Sequence, residues 1–519
     1  MSCSKPIVAL ILAGLLVWNG SAALAQQTCK ARMEQDPALN NLVHPEGYRP
    51  AESGTLGQVI RAGNGPLPLV LIAGAGFGGD VFAGFMEANR ERYAMTAVSL
   101  PGFGGTPAPP MPAPGTSYSE QTWTRAAQDA VARLIEEQKL DRPIVLGHWL
   151  SGAQIAIGLA VERPDLVRAA VVVSGVPGFV GTAGSSLPAP KTPQQRAIFI
   201  DHSMAPNWFK TVTRATWDDN NFLPRDYAIH PLRGLQLWQE AWRPTLPTWI
   251  RYLCEVWAAD SRQHLDRLEI PLLIVEPQLD PLFFEGPQKG DYMQAFLHQG
   301  WEGVEQQSPQ IRVQTIADSR VFVMDDQPAK LNEAIAQFAQ RVGAGMPRPR
   351  PAAIDRHSSL PGYWHGGVER RAERYLLRDA GISLERPAGD WELRAEADAP
   401  PIVARLADPQ NKAQVTIQIQ ATFGLDLDAM VALIESRYGA QFANFRRIST
   451  AATRVDGRDA RQLDCSYERN GAPEQARLIV ARLADDFVLS LGFRAAPEEF
   501  SGFEAPFART LSSLRWSSP

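Results

Sequence analysis

The chain has 519 residues, of which 45% are hydrophobic and 21% charged, and its formal net charge is -5. That length calls for two or more folded units. A charge balance this close to neutral removes the basic footprint of a nucleic-acid binder, and the composition is that of an ordinary globular protein.

Residues 1–25 read as a secretory signal: Lys5, an apolar run from Pro6 to Trp18, then small residues ending in Ala23-Leu24-Ala25. The expectation is cleavage after Ala25 and a secreted or periplasmic protein. The apolar run is shorter than the roughly 20 residues a spanning helix needs, so no membrane span is expected in the mature chain. Cleavage removes Cys3 and leaves Cys29, Cys254 and Cys465, an odd number with no metal-binding spacing that allows at most one intramolecular disulfide.

Residues 26–65 read as an N-terminal extension. From Pro66 the pattern becomes strand, Gly-rich turn, helix, strand, which builds a parallel sheet covered on both faces. "LPLVLIA" feeds "GAGFGGDVF", and "YAMTAVSL" feeds "PGFGGTPAPPMPAPG". A helix over about 120–139 precedes the strand in "RPIVLGHWLSG", followed by "VRAAVVVSG". "IPLLIVEPQLDP" and the start of "IRVQTIADSRVFVMDDQP" supply the last two strands, and "AKLNEAIAQFAQRV" the closing helix. Residues 177–268, rich in Trp, are too long for a simple crossover and predict a helical lid over the carboxyl edge of the sheet. A Pro- and Gly-rich linker spans 343–365. From 366 to 519 alternating strands with one helix inserted and one at the end predict an α+β sandwich.

The motifs "AGAGFGG", "LPGFGGT", "GHWLSG", "EPQLDP" and "DSRVFVMDDQP", in this order over residues 66–342, resemble the α/β-hydrolase superfamily. The resemblance implies an oxyanion turn at Gly74 and Ala75 and a nucleophile on the sharp turn after "IVLGH". Counting back from Gly152, Ala156, Ala160 and Pro164 puts Leu150 at the nucleophile position. Counting from Gly147-His148 puts Trp149 there, and neither side chain can attack a carbonyl. Ser151 is reached only by a shift that breaks the downstream spacings. The triad histidine position falls on Val321, with Arg320 before it, and the triad acid on Asp280. The C-terminal stretch, with "ISLERPAGDWEL", "FVLSLGF" and a final helix ending in "SSLRW", resembles the PsbP-like fold and implies a binding or stabilising module.

Two readings follow. In the first, the chain lacks the Ser-His machinery and binds a small apolar ligand or a protein partner, while Ser151 satisfies a free backbone N–H at its helix start and Asp280 pairs with Arg320 or caps a helix. In the second, Ser151 acts on an ester-like substrate with Asp280 and a histidine from the lid, His202, His230 or His264. The turn "TWDDNNF" at 216–222 offers carboxylates and amides that a solvated loop explains equally well. No His-x-His or His-Glu-x-x-His spacing, P-loop or dinucleotide fingerprint with its acidic partner occurs, so neither metal nor cofactor is expected.

Overall fold

The computed structural model describes residues 56–113, 116–178, 193–205, 208–209, 212, 224–281, 283, 290–342, 349–351, 368–371, 374–377, 381–387, 391–395, 402–422, 424–484 and 487–516. The signal-peptide reading and the 216–222 turn therefore lie outside the described residues. Beyond its first eighteen residues the chain forms two compact units, one from 19–185 and 208–358, the other from 186–207 and 359–519.

The first unit is built on a seven-stranded sheet of order β1-β3-β2-β4-β5-β6-β7. Its elements in chain order are β1 (Val59–Ala62), β2 (Leu67–Ile72), α1 (Ala83–Ala88), β3 (Tyr93–Val98), α2 (Thr122–Glu137), β4 (Ile144–His148), α3 (Trp149–Glu162) and β5 (Ala169–Val173). After α4 (Pro193–Phe199), which clusters with the second unit, come α5 (Pro224–Tyr227), α6 (Pro231–Trp242), α7 (Leu246–Ala258), β6 (Leu272–Gln278), α8 (Gly290–His298), β7 (Ile311–Ala317), α9 (Val323–Asp326) and α10 (Pro328–Arg341). Strands β2 to β7 pair in parallel, but β1 lies antiparallel on β3, with Val59 opposite Val98. The sheet is thus mixed, which corrects the all-parallel expectation. Residues 59–62, read as extension, form its edge, because "VIRA" is too short and too polar to register as a strand without the exposed side of β3 to pair with. Every residue of β4 and β5 is buried, as an apolar run covered on both faces requires.

Helices α5, α6 and α7 fall within the stretch between β5 and β6. Thr245 caps α7 by accepting from Thr248 N, and proline sits in the first turn of both α6 and α7. The carboxylate of Glu255 on α7 is fully buried and accepts from Trp123 N, Thr124 N and Thr124 Oγ1 at the start of α2, as well as from Arg251 Nε at 2.8 Å. A carboxylate at a helix N-terminus satisfies donors that the helix itself leaves free, so this contact fixes α7 against α2.

The second unit carries two antiparallel sheets. The smaller, β18-β10-β9-β8, comprises β8 (Val368–Arg371), β9 (Arg374–Leu377), β10 (Ile382–Glu385) and β18 (Arg515–Trp516). The larger, β11-β12-β13-β17-β16-β15-β14, comprises β11 (Glu392–Ala395), β12 (Ile402–Ala407), β13 (Ala413–Ala421), β14 (Ala443–Val455), β15 (Arg458–Arg469), β16 (Ala472–Ala484) and β17 (Phe487–Ala495). Helix α11 (Leu427–Gln441) lays Leu427, Met430, Val431 and Ile434 on Leu463, Cys465, Leu478, Val480 and Val488. The last helices are α12 (Pro497–Phe500) and α13 (Glu504–Ser513). Strands β8 and β9 escape the sequence reading, as do two elements further on. Strand β14 has no alternating apolar face, because almost none of it is buried, and Arg515-Trp516, read as helix, is a short strand on β10. Cys254 and Cys465 are buried free thiols, so neither is in a disulfide.

Candidate functional site

The carboxyl ends of β2, β4, β6 and β7 bring four loops together, the place where open α/β sheets bind ligands. After β4 the backbone turns sharply at Trp149 (φ 55°) and Leu150 (φ 29°, ψ -114°) before settling into helix at Ser151. Holding a non-glycine residue in such a conformation costs about 1–3 kcal/mol, which the surrounding packing must offset. Gly147 and Gly152 make the turn possible. An added Cβ on Gly152 would lie 2.7 Å from Ile72 O, and one on Gly147 would strike Gly152 itself.

The strain falls on Trp149 and Leu150, and both are fully buried. Ser151 is also fully buried, and its Oγ has no hydrogen-bond partner among the described residues. The expectation that this hydroxyl satisfies a backbone N–H is therefore corrected. The residue preceding the helix is His148, which makes no side-chain cap, and the sharp turn carries Ser151 past the capping position.

The Gly-rich turn packs directly against this elbow. A Cβ on Gly74 would lie 2.5 Å from His148 O and 2.6 Å from Trp149 O, and Ala75 beside it is fully buried. At Gly76 (φ 98°) a Cβ would collide with the indole of Trp249 from α7. That indole is pinned by Nε1 donating to Ala241 O at 2.5 Å.

In front of β4 the space is filled with rings. His148 has Phe322 at 4.4 Å between ring centroids, Phe82 at 6.2 Å and Phe77 at 6.4 Å. Its Nε2 donates to Val321 O at 3.1 Å, and its Nδ1 has no hydrogen-bond partner among the described residues. Burial pushes the imidazole down to about 4, outweighing the opposing hydrogen bond, so the ring is neutral at physiological pH. Val321 and Phe322 are both fully buried.

Asp280, after β6, is engaged elsewhere. Arg320 Nε donates to its Oδ2 at 2.8 Å and Nη2 to its Oδ1 at 3.3 Å, with both side chains less than a tenth exposed. The same guanidinium donates to Arg225 O at 2.6 Å and Ala228 O at 3.1 Å. Val321 N and Phe322 N donate to Asp226 O and Tyr227 O, and Asp326 accepts from Ile229 N and Arg320 N. The segment 225–229 is thus bolted along the loop that follows β7. Burial raises Asp326 to about 6 against these hydrogen bonds.

Among the described residues, neither His230 nor His264 is hydrogen-bonded to Ser151. His230 starts α6, its Nδ1 accepting from Arg233 N, and His264 is half-buried with its imidazole lowered, chiefly by burial. The side chain of His202 lies outside the described residues. Sequence reasoning passed over His148 as a buried polar group, Phe322 as its ring partner, and the bolt from Arg320 to the chain at 225–228. Only the adjacency of Arg320, Val321 and Phe322 hinted at the last two.

At β6, β7 and α8 a cleft of about 540 Å³ is lined by Gln278, Leu279, Gln294, His298 and Thr315. His298 Nδ1 meets Glu276 Oε2 and its Nε2 meets Pro277 O, both at 2.8 Å. Both partners are acceptors, so the arrangement suits an imidazolium. Burial lowers its titration, but the Glu276 carboxylate and the Pro277 carbonyl together raise it above the ordinary value. Among the described residues no group of three or more His, Cys, Asp or Glu side chains could hold a metal ion, and no helix is long and apolar enough to cross a membrane.

Comparison with known proteins bears on the family of the first unit. The profile of the Alpha/beta hydrolase family matches residues 69–334, just over half of the chain. A pimeloyl-[acyl-carrier protein] methyl ester esterase of Aeromonas hydrophila subsp. hydrophila is 31% identical over 229 residues, 43% of this chain and 81% of the relative. Its counterpart in Nitrosomonas europaea is 25% identical over 240 residues, 45% of this chain and 84% of the relative. Among solved structures, a thermophilic esterase from Thermogutta terrifontis aligns with a TM-score of 0.40 at 17% identity, over 55% of this chain and 93% of that one. The match over 69–334 and the Aeromonas relative show that this chain belongs to the alpha/beta hydrolase family.

Proposed function

We propose that this chain is a non-hydrolytic member of its family, in which Leu150 and Val321 occupy the positions of the nucleophile and the histidine. The observation that carries this reading is the strained turn itself: the residue held at φ 29°, ψ -114° is a buried leucine, and the hydroxyl next to it makes no hydrogen bond among the described residues. A serine becomes nucleophilic only when a base can take its proton, and the acid serves by orienting that base. Asp280 orients Arg320 instead. The chain then works by binding. A small, partly apolar molecule held beneath the helices between β5 and β6 is one ligand of this reading, and a protein partner at the second unit, for which we keep the PsbP-like reading, is the other. Export through the N-terminal signal belongs to the same proposal, as does a lid role for the helices between β5 and β6.

The competing reading, hydrolysis of an ester by Ser151, draws on the methyl ester esterases among the relatives. A fluorophosphonate probe separates the two. The expected result is no labelling of the folded, purified protein and no turnover of 4-nitrophenyl esters. Labelling that vanishes in Ser151→Ala overturns the proposal and makes the chain an esterase.

A further inference from the structure

Helix α8 is fastened to the sheet through its last residue, His298. The two ring nitrogens meet Glu276 Oε2 and Pro277 O, both at 2.8 Å and both on β6. A carboxylate and a backbone carbonyl accept hydrogen bonds and donate none. A neutral imidazole has one N–H, so the arrangement is complete only while the three groups hold a second proton. Once that proton leaves, a ring lone pair faces an oxygen lone pair at hydrogen-bond distance, and one of the two contacts must open.

The cleft beside this contact has Gln294 and His298 of α8 on one side, and Gln278, Leu279 and Thr315 from β6, its end and β7 on the other. A second polar tie, Leu279 N donating to Gln294 Oε1 at 3.1 Å, crosses the same gap one turn earlier and does not titrate. Beyond α8 the chain is anchored independently, with Trp301 Nε1 donating to Gly175 O at 2.8 Å and Arg262 Nη1 to Gly300 O at 3.2 Å. The titrating contact therefore governs the last turn of α8 and leaves the rest of the helix in place. From this geometry we infer that His298 is a proton-operated latch: with its proton it holds the last turn of α8 against β6, and on losing it that turn loosens and the cleft widens.

The charges around the ring leave control to one pair. Among the described residues, Glu276 on β6 is the charged group in contact with His298. β7 contributes the neutral Thr315. Asp280, after β6, is committed to Arg320, and Arg262, beside Gly300, to Asp260, both at 2.8 Å. The side chain of Asp291 on α8 lies outside the described residues. Burial opposes the imidazolium, but Glu276 and Pro277 O outweigh it and raise the titration above 6.5. A raised value fixes the sign: the latch contributes fully below pH 6.5 and is lost as the pH rises through the folded value.

Hydrogen exchange of the whole chain tests this, read on peptides covering 293–301 and expressed as protection relative to the free-chain rate at each pH. Protection there is expected to fall about three- to tenfold between pH 6 and pH 9, the worth of one hydrogen bond, while α10 keeps its own. Glu276→Gln is the deciding variant. Its carboxamide can donate to the bare nitrogen of a neutral imidazole, so protection should stay level over the same range. His298→Gln, with no titrating group, should stay level as well. Wild-type protection that does not change with pH, a fall that persists in His298→Gln, or a fall of full size in Glu276→Gln would each overturn the proposal.

Discussion

The elbow of the first unit and the open edge of the second differ in how their functional potential is stored. At the elbow the glycines and the sharp turn of the motif are present, yet Trp149, Leu150 and Ser151 are fully buried and the loops around them are tied down by Arg320, Asp280 and Asp326. At β14 no motif exists, yet twelve of thirteen residues remain accessible and one ladder of hydrogen-bonding groups is unpaired. Chemistry needs access as well as residue type. A motif that is closed over contributes stability, whereas an unremarkable strand left open offers a surface.

The sharpest way to break this comparison is to break the bolt. Arg320→Ala leaves the buried Asp280 without its charge partner and strips donors from Arg225 O and Ala228 O, so it should lower the unfolding free energy by about 3–5 kcal/mol. Urea unfolding followed by tryptophan fluorescence measures this. A loss below about 1 kcal/mol would mean that the closed elbow does not depend on Arg320.

His148 gives the next largest effect. Its titration is depressed from 6.5 to about 4, so its contribution is present above pH 6.5 and lost as pH falls through about 4. That difference corresponds to roughly 3 kcal/mol. Replacement by Phe, among rings that already surround the site, should remove this acid-side loss from a comparison of stability at pH 7 and pH 4. Asp326 works in the opposite sense, its contribution being lost as pH rises through about 6, and it is unchanged in the variant, so the difference between the two proteins isolates His148.

Ser151→Ala is a smaller and more pointed test. Because the buried hydroxyl makes no hydrogen bond, removing it should leave stability unchanged or raise it by up to about 1 kcal/mol. A loss above about 1 kcal/mol would show that the hydroxyl has a partner and reopen the competing reading. At the other pole, Ala451→Lys on the open strand should change the stability of the chain by no more than about 0.5 kcal/mol. If it unfolds the second unit, the edge is not the free surface described above.

Much of the fold was legible because it rests on local patterns. The continuous apolar runs at 67–72, 144–148 and 169–173 became buried strands, and the glycines around the elbow marked a close approach of strand and helix that the contacts of Gly147 and Gly152 explain. β1 and β14 were illegible for one shared reason: each is held by backbone pairing to a neighbour and buries little, so hydrophobic period carries no trace of it. The site was half legible. Spacing named Leu150, Val321 and Asp280, but it left Leu150 and Trp149 as rivals, and it gave Ser151 a capping role that the sharp turn does not allow.

The sequence by itself determined the family, through motifs in fixed order along an alternating strand and helix pattern, and it determined which residue types stand at the elbow. Only the tertiary structure decided what those residues do. The partners of Asp280 come from 320, those of Arg320 from 225 and 228, and the rings around His148 from 77, 82 and 322. Burial, pairing and strain at a site belong to contacts between residues far apart in the chain, and no local period records them.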